Sequence, residues 1–355
     1  MLDRLRAVSP SDPNIWFWAA VLVVGGVLPT FYIDDYVYSV LVLFGLYGTI
    51  NLMWSLVIGT AGILSFATLA IVGVGAYLST YLSIKHGWSW PEMFAVSLVA
   101  GAVLGAIVAA PAIRLRGVYF ALLTFGLVEL FRSYASLSGY LGLAYGLFGA
   151  NSFVPERFDG TDTGSIIAYY AAFGLLIAAL LVYWLIDRGR LGLLLRTARE
   201  SEPVAKALGV DVVRARFAVF VVSSAMLGLT GSFYASYYKG VSPSIFDFGK
   251  VLLLFAMMVV GGMGTARGVL IGTGLLLFID QHWLSAGPPR FIAAGALMLA
   301  VTLFTERGLD GLPVQVRVWI RANRARRQPG AVTQVLPSGA AGPDAGTGVG
   351  KEGVL

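Results

Sequence analysis

The sequence of 355 residues contains no cysteine, which excludes disulfides, thiolate metal sites and a thiol nucleophile. It has two histidines, His86 and His282, too few for a histidine-built metal centre. Charge is scarce as well. Asp, Glu, Lys and Arg make up 12% of the chain, against about a quarter in soluble domains. Apolar residues make up 57%, and the mean hydropathy is +0.79. A water-soluble globular fold is excluded on these grounds. What is present is enough apolar sequence for about ten membrane helices of about 20 residues each. The net charge of +6 then reads as the Lys and Arg that collect in cytoplasmic loops, not as a nucleic-acid surface.

The fold class expected is an all-α, polytopic membrane protein with about ten spans. The apolar stretches are Ile15–Ile33, Tyr36–Leu56, Ala61–Ile84, Met93–Ile113, Val118–Ala135, Ile166–Ile186, Phe217–Tyr238, Val251–Met263, Val269–Ala286 and Phe291–Thr305. Ile15–Ile33 is too long for a signal-peptide core and reads as a retained span. Val251–Met263 is short for a crossing. Charge alternates between the connections. Arg114, Arg116, Arg267 and the Arg-rich loop 187–216 fall on one side. Asp34, Asp35, Glu156, Asp159 and Asp162 fall on the other. The positive-inside rule therefore places both termini in the cytoplasm. The organisation expected is a cytoplasmic N-terminus (1–14), a membrane domain (15–305) containing the cytoplasmic loop 187–216, and a tail (306–355). The tail begins with a basic stretch from Arg317 to Arg327 that suits anionic lipid. Its Gly- and Pro-rich end is expected to be disordered.

Glycine is abundant, at 44 residues. Gly45-x-x-Gly48, Gly101-x-x-x-Gly105 and Gly268-x-x-x-Gly272 suit close helix packing. Gly59-Thr60-Ala61-Gly62 and Gly261-Gly262-Met263-Gly264 are denser and break apolar runs. Each reads either as a helix end with a tight turn or as broken helix lining a substrate path. On the second reading Gly62, Ser65, Thr68, Gly261 and Gly262 line the route. Glu129 and Arg132 lie at i,i+3 on one face of a span. They read as route-lining, as an interhelical lock, or as a structural ion pair near the interface, since charge at mid-membrane costs several kcal/mol. Asp280 and His282 read as interfacial. No paired carboxylates, catalytic triad or metal-ligand set is present, which disfavours an enzyme.

The loop reading LLLRTARESEPVAKALGV, from Leu193 to Val210, has an apolar side and near-balanced charge. Pro203 suits the start of a short helix, with Ser201 or Glu202 before it and Gly209 closing it. Such a helix fits a groove on a partner protein better than a lipid surface.

These residues resemble the permease subunits of ABC importers for branched-chain amino acids, the M-type half of the pair. The likeness covers about residues 50–310. It rests on Gly59-x-x-Gly62-x-Leu64-Ser65, on Gly73-x-Gly75-Ala76-Tyr77, and above all on Pro111-Ala112-Ile113-Arg114-Leu115-Arg116-Gly117-Val118-Tyr119-Phe120-Ala121 with Thr124-x-Gly126-x-x-Glu129. Arg199-Glu200-Ser201-Glu202, Ala205-x-Ala207-Leu208-Gly209, Gly228-Leu229-x-Gly231, Ser242-Pro243, Gly261-Gly262-Met263-Gly264 and Arg307-Gly308-Leu309 follow in the family's order. The sequence departs from the pattern at Ala67-Thr68 and at Ser138-Gly139-Tyr140.

The resemblance implies a passive-pore subunit in the bacterial inner membrane, working by alternating access and carrying no cofactor. It implies a second homologous permease, two cytoplasmic ATPase subunits that bind the ATP, and an external solute-binding protein. Arg199, Glu200, Glu202, Ala205, Ala207, Leu208 and Gly209 would meet the ATPase. A branched-chain amino acid is the default solute, with urea, short amides or another amino acid open. A stand-alone secondary transporter would call for more intramembrane ionisable groups. The sequence carries no nucleotide-binding motif, since Gly350-Lys351 is followed by Glu352 and lacks the earlier glycine of a P-loop.

Overall fold

The computed structural model describes residues 34–282 except Arg114, Arg116 and 208–210, and also residues 25–26, 295–296, 298–299, 303 and 308–311. The expected spans 15–33 and 291–305 fall outside the described residues apart from isolated positions. So do Leu208, Gly209, the basic stretch and the tail beyond Gly311.

Ten α-helices are present among the described residues. They are α1 (Asp35–Ser55), α2 (Thr68–His86), α3 (Trp90–Ala109), α4 (Val118–Leu137), α5 (Asp162–Asp187), α6 (Arg190–Glu200), α7 (Glu202–Ala207), α8 (Val212–Tyr238), α9 (Phe248–Gly261) and α10 (Ala266–His282). Six of these elements are long and apolar enough to cross a membrane: α1 with its extension to Thr60, α2, α3, α4, α5 and α8. At 1.5 Å per residue, the 14 residues of α9 reach about 21 Å, less than the roughly 30 Å hydrocarbon core.

The helix ends follow local chemistry. Ser89 and Glu92 form a capping box that starts α3, with the Glu92 carboxylate accepting from the Ser89 N–H at 2.8 Å. Asp211 caps α8 by accepting from the Arg214 N–H at 3.0 Å. Gly87, in the left-handed conformation, closes α2.

α8 is central, packing along α2 and α3, while α1 packs against α5 and α10, and α9 against α10. Small residues set these contacts. A Cβ on Gly101 would lie 2.4 Å from the Ser224 carbonyl oxygen, and one on Gly228 2.2 Å from that of Ser97. The α3–α8 backbones therefore touch, as the glycine spacing suggested. Gly45 does the same for α1 against α5, and Gly268 and Gly272 for α10 against α9, while Gly48 makes room for the Leu176 and Leu270 side chains.

The Arg-rich segment from Arg188 to Arg216 lies at one end of the bundle, here termed the basic end. At the opposite end, the link between α4 and α5 is tied down. Its β1 strand (Leu147–Phe148) pairs antiparallel with β2 (Gly240–Val241), Leu147 opposite Val241. The Asn151 carbonyl accepts from the Ser236 hydroxyl, its backbone N–H donates to Ser83 Oγ, and its side-chain amide donates to the Trp88 carbonyl. Lys239 pairs with Asp159.

Candidate functional site

The first glycine cluster ends α1 with a π turn, Leu56–Thr60. Ala61 N–H then bonds back to the Leu56 carbonyl, and Ile63 N–H to that of Val57. Gly62 takes φ +70°, and the chain runs without regular structure to Ala67. The expected span beginning at Ala61 therefore starts at Thr68. Hydropathy does not register the delay, because Ile63 and Leu64 are as apolar as any helical residue.

The segment 62–67 turns back into the bundle. The Trp54 indole donates to the Ser65 carbonyl at 2.6 Å, and Phe66 N–H donates to Thr124 Oγ1 on α4 at 2.9 Å. The Trp54, Phe66 and Phe255 rings close on one another with centroids 5.4–5.9 Å apart. Ser65 and Thr68 are buried.

The second cluster is the turn between α9 and α10. Gly262 has φ +117° and Gly264 φ +94°. The two clusters meet. A Cβ on Gly59 would lie 2.6 Å from Gly264 Cα, and Gly264 N–H donates to Ser55 Oγ at 3.1 Å. Gly308 lies on Gly262, with an added Cβ 2.7 Å from its Cα, and Arg267 pairs with Asp310 at 3.5 Å. Each cluster is a turn at the basic end, and the irregular stretch after the first, 62–67, lies within the bundle.

Helix α6 lies against the first turn, and α7 packs on α6 and α8. The expected short helix at Pro203 is α7, and Ala205 N–H bonds to the Ser201 carbonyl at its start. The sequence had suggested only a loop where α6 stands. Ala205 is fully buried with Ala198 and Val212 in a small separate cluster. It therefore packs the chain's own hairpin, while Pro203 and Lys206 face outward. Arg199 donates to the Gly59 carbonyl at 2.5 Å, and Arg216, on α8, donates to that of Ala61 at 3.1 Å. Arg196 pairs with Asp187 at 2.8 Å.

Glu129 and Arg132 pair at 3.4 Å, with side chains 52% and 42% exposed. The structure does not bring them to the glycine junction. Thr124 faces Phe66. Glu129, five residues on at 100° each, is rotated about 140° away and sits about 7.5 Å further along α4. Asp280 is buried, whereas His282 is exposed. Sequence reasoning passed over Trp54, Thr124 and Arg216. Thr124 lay inside a quoted motif, and Arg216 registered only as loop charge.

Residues 36–305 match the family of branched-chain amino acid transport system permease components. The chain belongs to this family. It is 26% identical over 315 residues to the high-affinity branched-chain amino acid transport system permease protein LivM of Escherichia coli, covering 82% of this chain and 74% of that protein. It is 26% identical to LivM of Salmonella typhimurium over 286 residues, with 74% and 67% covered. It is also 26% identical to the permease protein LivH of E. coli over 294 residues, with 75% and 92% covered. No solved structure matches. The permease is thus a multi-pass membrane protein and a transport subunit of an ABC importer for amino acids, not an enzyme.

Proposed function

We propose that this chain is one of two homologous permease subunits of an ATP-driven importer in the bacterial inner membrane. It moves branched-chain amino acids inward by alternating access. Two ATPase subunits sit at the basic end, which is cytoplasmic, and an external solute-binding protein delivers the solute at the opposite end. The observation that carries this reading is the junction of the two glycine turns, held by Arg199 of the polar helix α6 and by Arg216. A partner acting on α6–α7 has a direct mechanical path to the backbone between the spans.

In this reading the turns at Gly62–Thr68 and Gly261–Gly262 form the inner gate. Arg199, Glu200, Glu202, Ala205, Ala207, Leu208 and Gly209 form the ATPase contact, with Ala205 supporting the hairpin from within. The second permease covers the exposed face of α4. That face carries Glu129 and Arg132 in the middle of a span, where lipid is a costly neighbour for charge. Aromatic residues suit an aliphatic solute. A cavity of about 370 Å³ between α2 and α4 is walled by Tyr77, Tyr81, Phe131, Tyr134, Tyr140 and Phe246.

The test is uptake into proteoliposomes holding the permease pair, both ATPases and the binding protein. Labelled leucine should enter only with ATP, and isoleucine and valine should compete. Competition by urea or short amides, without competition by valine, would move the solute class. Uptake without ATP would overturn the energy source. Ala207→Arg should weaken ATPase retention while membrane insertion persists.

A further inference from the structure

The carbonyls released at the end of α1 are taken by arginines. A helix that widens into a π turn and then stops leaves acceptors outside the i→i−4 ladder. Two of these, the Gly59 and Ala61 oxygens, receive guanidinium donors from Arg199 and Arg216. The donors come from separate elements flanking α7. Arg199 is in the last turn of α6, and Arg216 is in the second turn of α8. The same turn touches the second one through Gly59 and Gly264. One turn before Arg199, Arg196 is held to the end of α5 by Asp187, so successive turns of α6 hold α5 and the first glycine turn.

We propose that Arg199 and Arg216 are positioning residues for transport. By holding the Gly59 and Ala61 carbonyls they tie the conformation of the first turn, and through Gly264 the second, to the position of the α6–α7 hairpin. Hydrogen bonds with a charged donor are the stronger kind, and a buried carbonyl that loses one is left unpaired. A shift of the hairpin therefore either carries the turn with it or releases it. The planar fork of arginine can hold a carbonyl while its stem follows a moving helix, which lysine does less well. This inference rests on the reading of α6–α7 as the ATPase-facing hairpin, but the clamp can be tested without ATP.

The experiment has two arms. The first uses Ser65→Cys, which puts a single thiol in a chain with no cysteine of its own. In native membranes, with the whole complex present and no nucleotide, this buried position should label slowly with a maleimide. Adding Arg199→Ala or Arg216→Ala should raise the rate roughly tenfold, the shift expected from one lost bond to a charged donor. Lysine at either position should restore part of the protection. Unchanged labelling in both alanine variants overturns the clamp. The second arm measures solute moved per ATP in proteoliposomes of the same complexes. The ratio should fall roughly tenfold on the same reasoning while hydrolysis continues. A purely structural role would lower both rates together and leave the ratio unchanged, and that result overturns the positioning role. If parent complexes take up solute without ATP, the proposed energy source fails alone and the labelling arm still decides the clamp. If an alanine variant fails to assemble, the lysine variants carry both arms.

Discussion

Asn51 on α1 donates to Thr273 Oγ1 on α10 at 2.9 Å, with both side chains fully buried. Thr273 in turn donates to the Val269 carbonyl one turn back in its own helix. The pair joins the first helix described, α1, to the last, α10, across more than two hundred residues of sequence. Polar bonds between membrane helices contribute about 0.6 kcal/mol on average and up to about 1.7. Thr273→Val keeps the shape and removes the acceptor. It should lower the unfolding free energy in detergent titration by roughly 1 kcal/mol. Thr273→Ser should stay near the parent.

Gly228 separates two spans by nothing but backbone. Alanine there would place a methyl 2.2 Å from the Ser97 carbonyl oxygen. Forcing α3 and α8 apart should cost roughly 1–3 kcal/mol, visible as a lower melting temperature. Gly126, on the open side of α4, has nothing within 4 Å of an added Cβ. Gly126→Ala should be neutral or slightly stabilising through helix propensity.

Gly62 and Gly262 differ in what they tolerate. Gly62 has φ +70° and room around it, so its constraint is conformational. Gly62→Asn, which enters the left-handed region readily, should retain most uptake, whereas Gly62→Leu should lose it. Gly262 lies at φ +117°, ψ 108°, outside that region, so Asn and Leu should both fail there. The check is uptake alongside co-purification of the subunits. Normal uptake by Gly62→Leu and Gly262→Leu in an assembled complex would remove both turns from the gate.

The Glu129–Arg132 pair should report on what covers α4. Solvent-exposed pairs typically couple by about 0.2–1 kcal/mol. A double-mutant cycle with Glu129→Gln and Arg132→Gln, read out as permease–permease association, should exceed that range if the second subunit shields the pair. Coupling within the exposed range, with association unchanged, would return it to a surface ion pair.

Much of the architecture was legible in the residues. Apolar runs marked eight described helices, from α1 to α5 and α8 to α10, within a few residues at most ends, because burial in lipid or protein demands the same composition. Pro203 announced α7. Glycine spacing found the α3–α8 and α9–α10 contacts. The late start of α2 was not legible, since a left-handed Gly62 followed by apolar residues has the hydropathy of a helix. Nor was α6, whose mixed composition from Arg190 to Glu200 reads as a polar loop unless its apolar side is given something to cover. The bonds from Arg199 and Arg216 to backbone oxygens were out of reach for a different reason. Any carbonyl can accept, so nothing in the sequence names the acceptor.

The 138–161 link between α4 and α5 is held by the Leu147–Val241 strand pair, by Asn151 and by the Lys239–Asp159 ion pair. Each of these ties reaches α2, α8 or the segment just after them, so the link moves with those helices as one piece. A protein that lands there meets a surface already in its final shape, with Tyr140, Tyr145 and Phe148 exposed on it. Association then carries no ordering entropy for this stretch. Any tilt of α2 and α8 would therefore be carried directly to this outer surface.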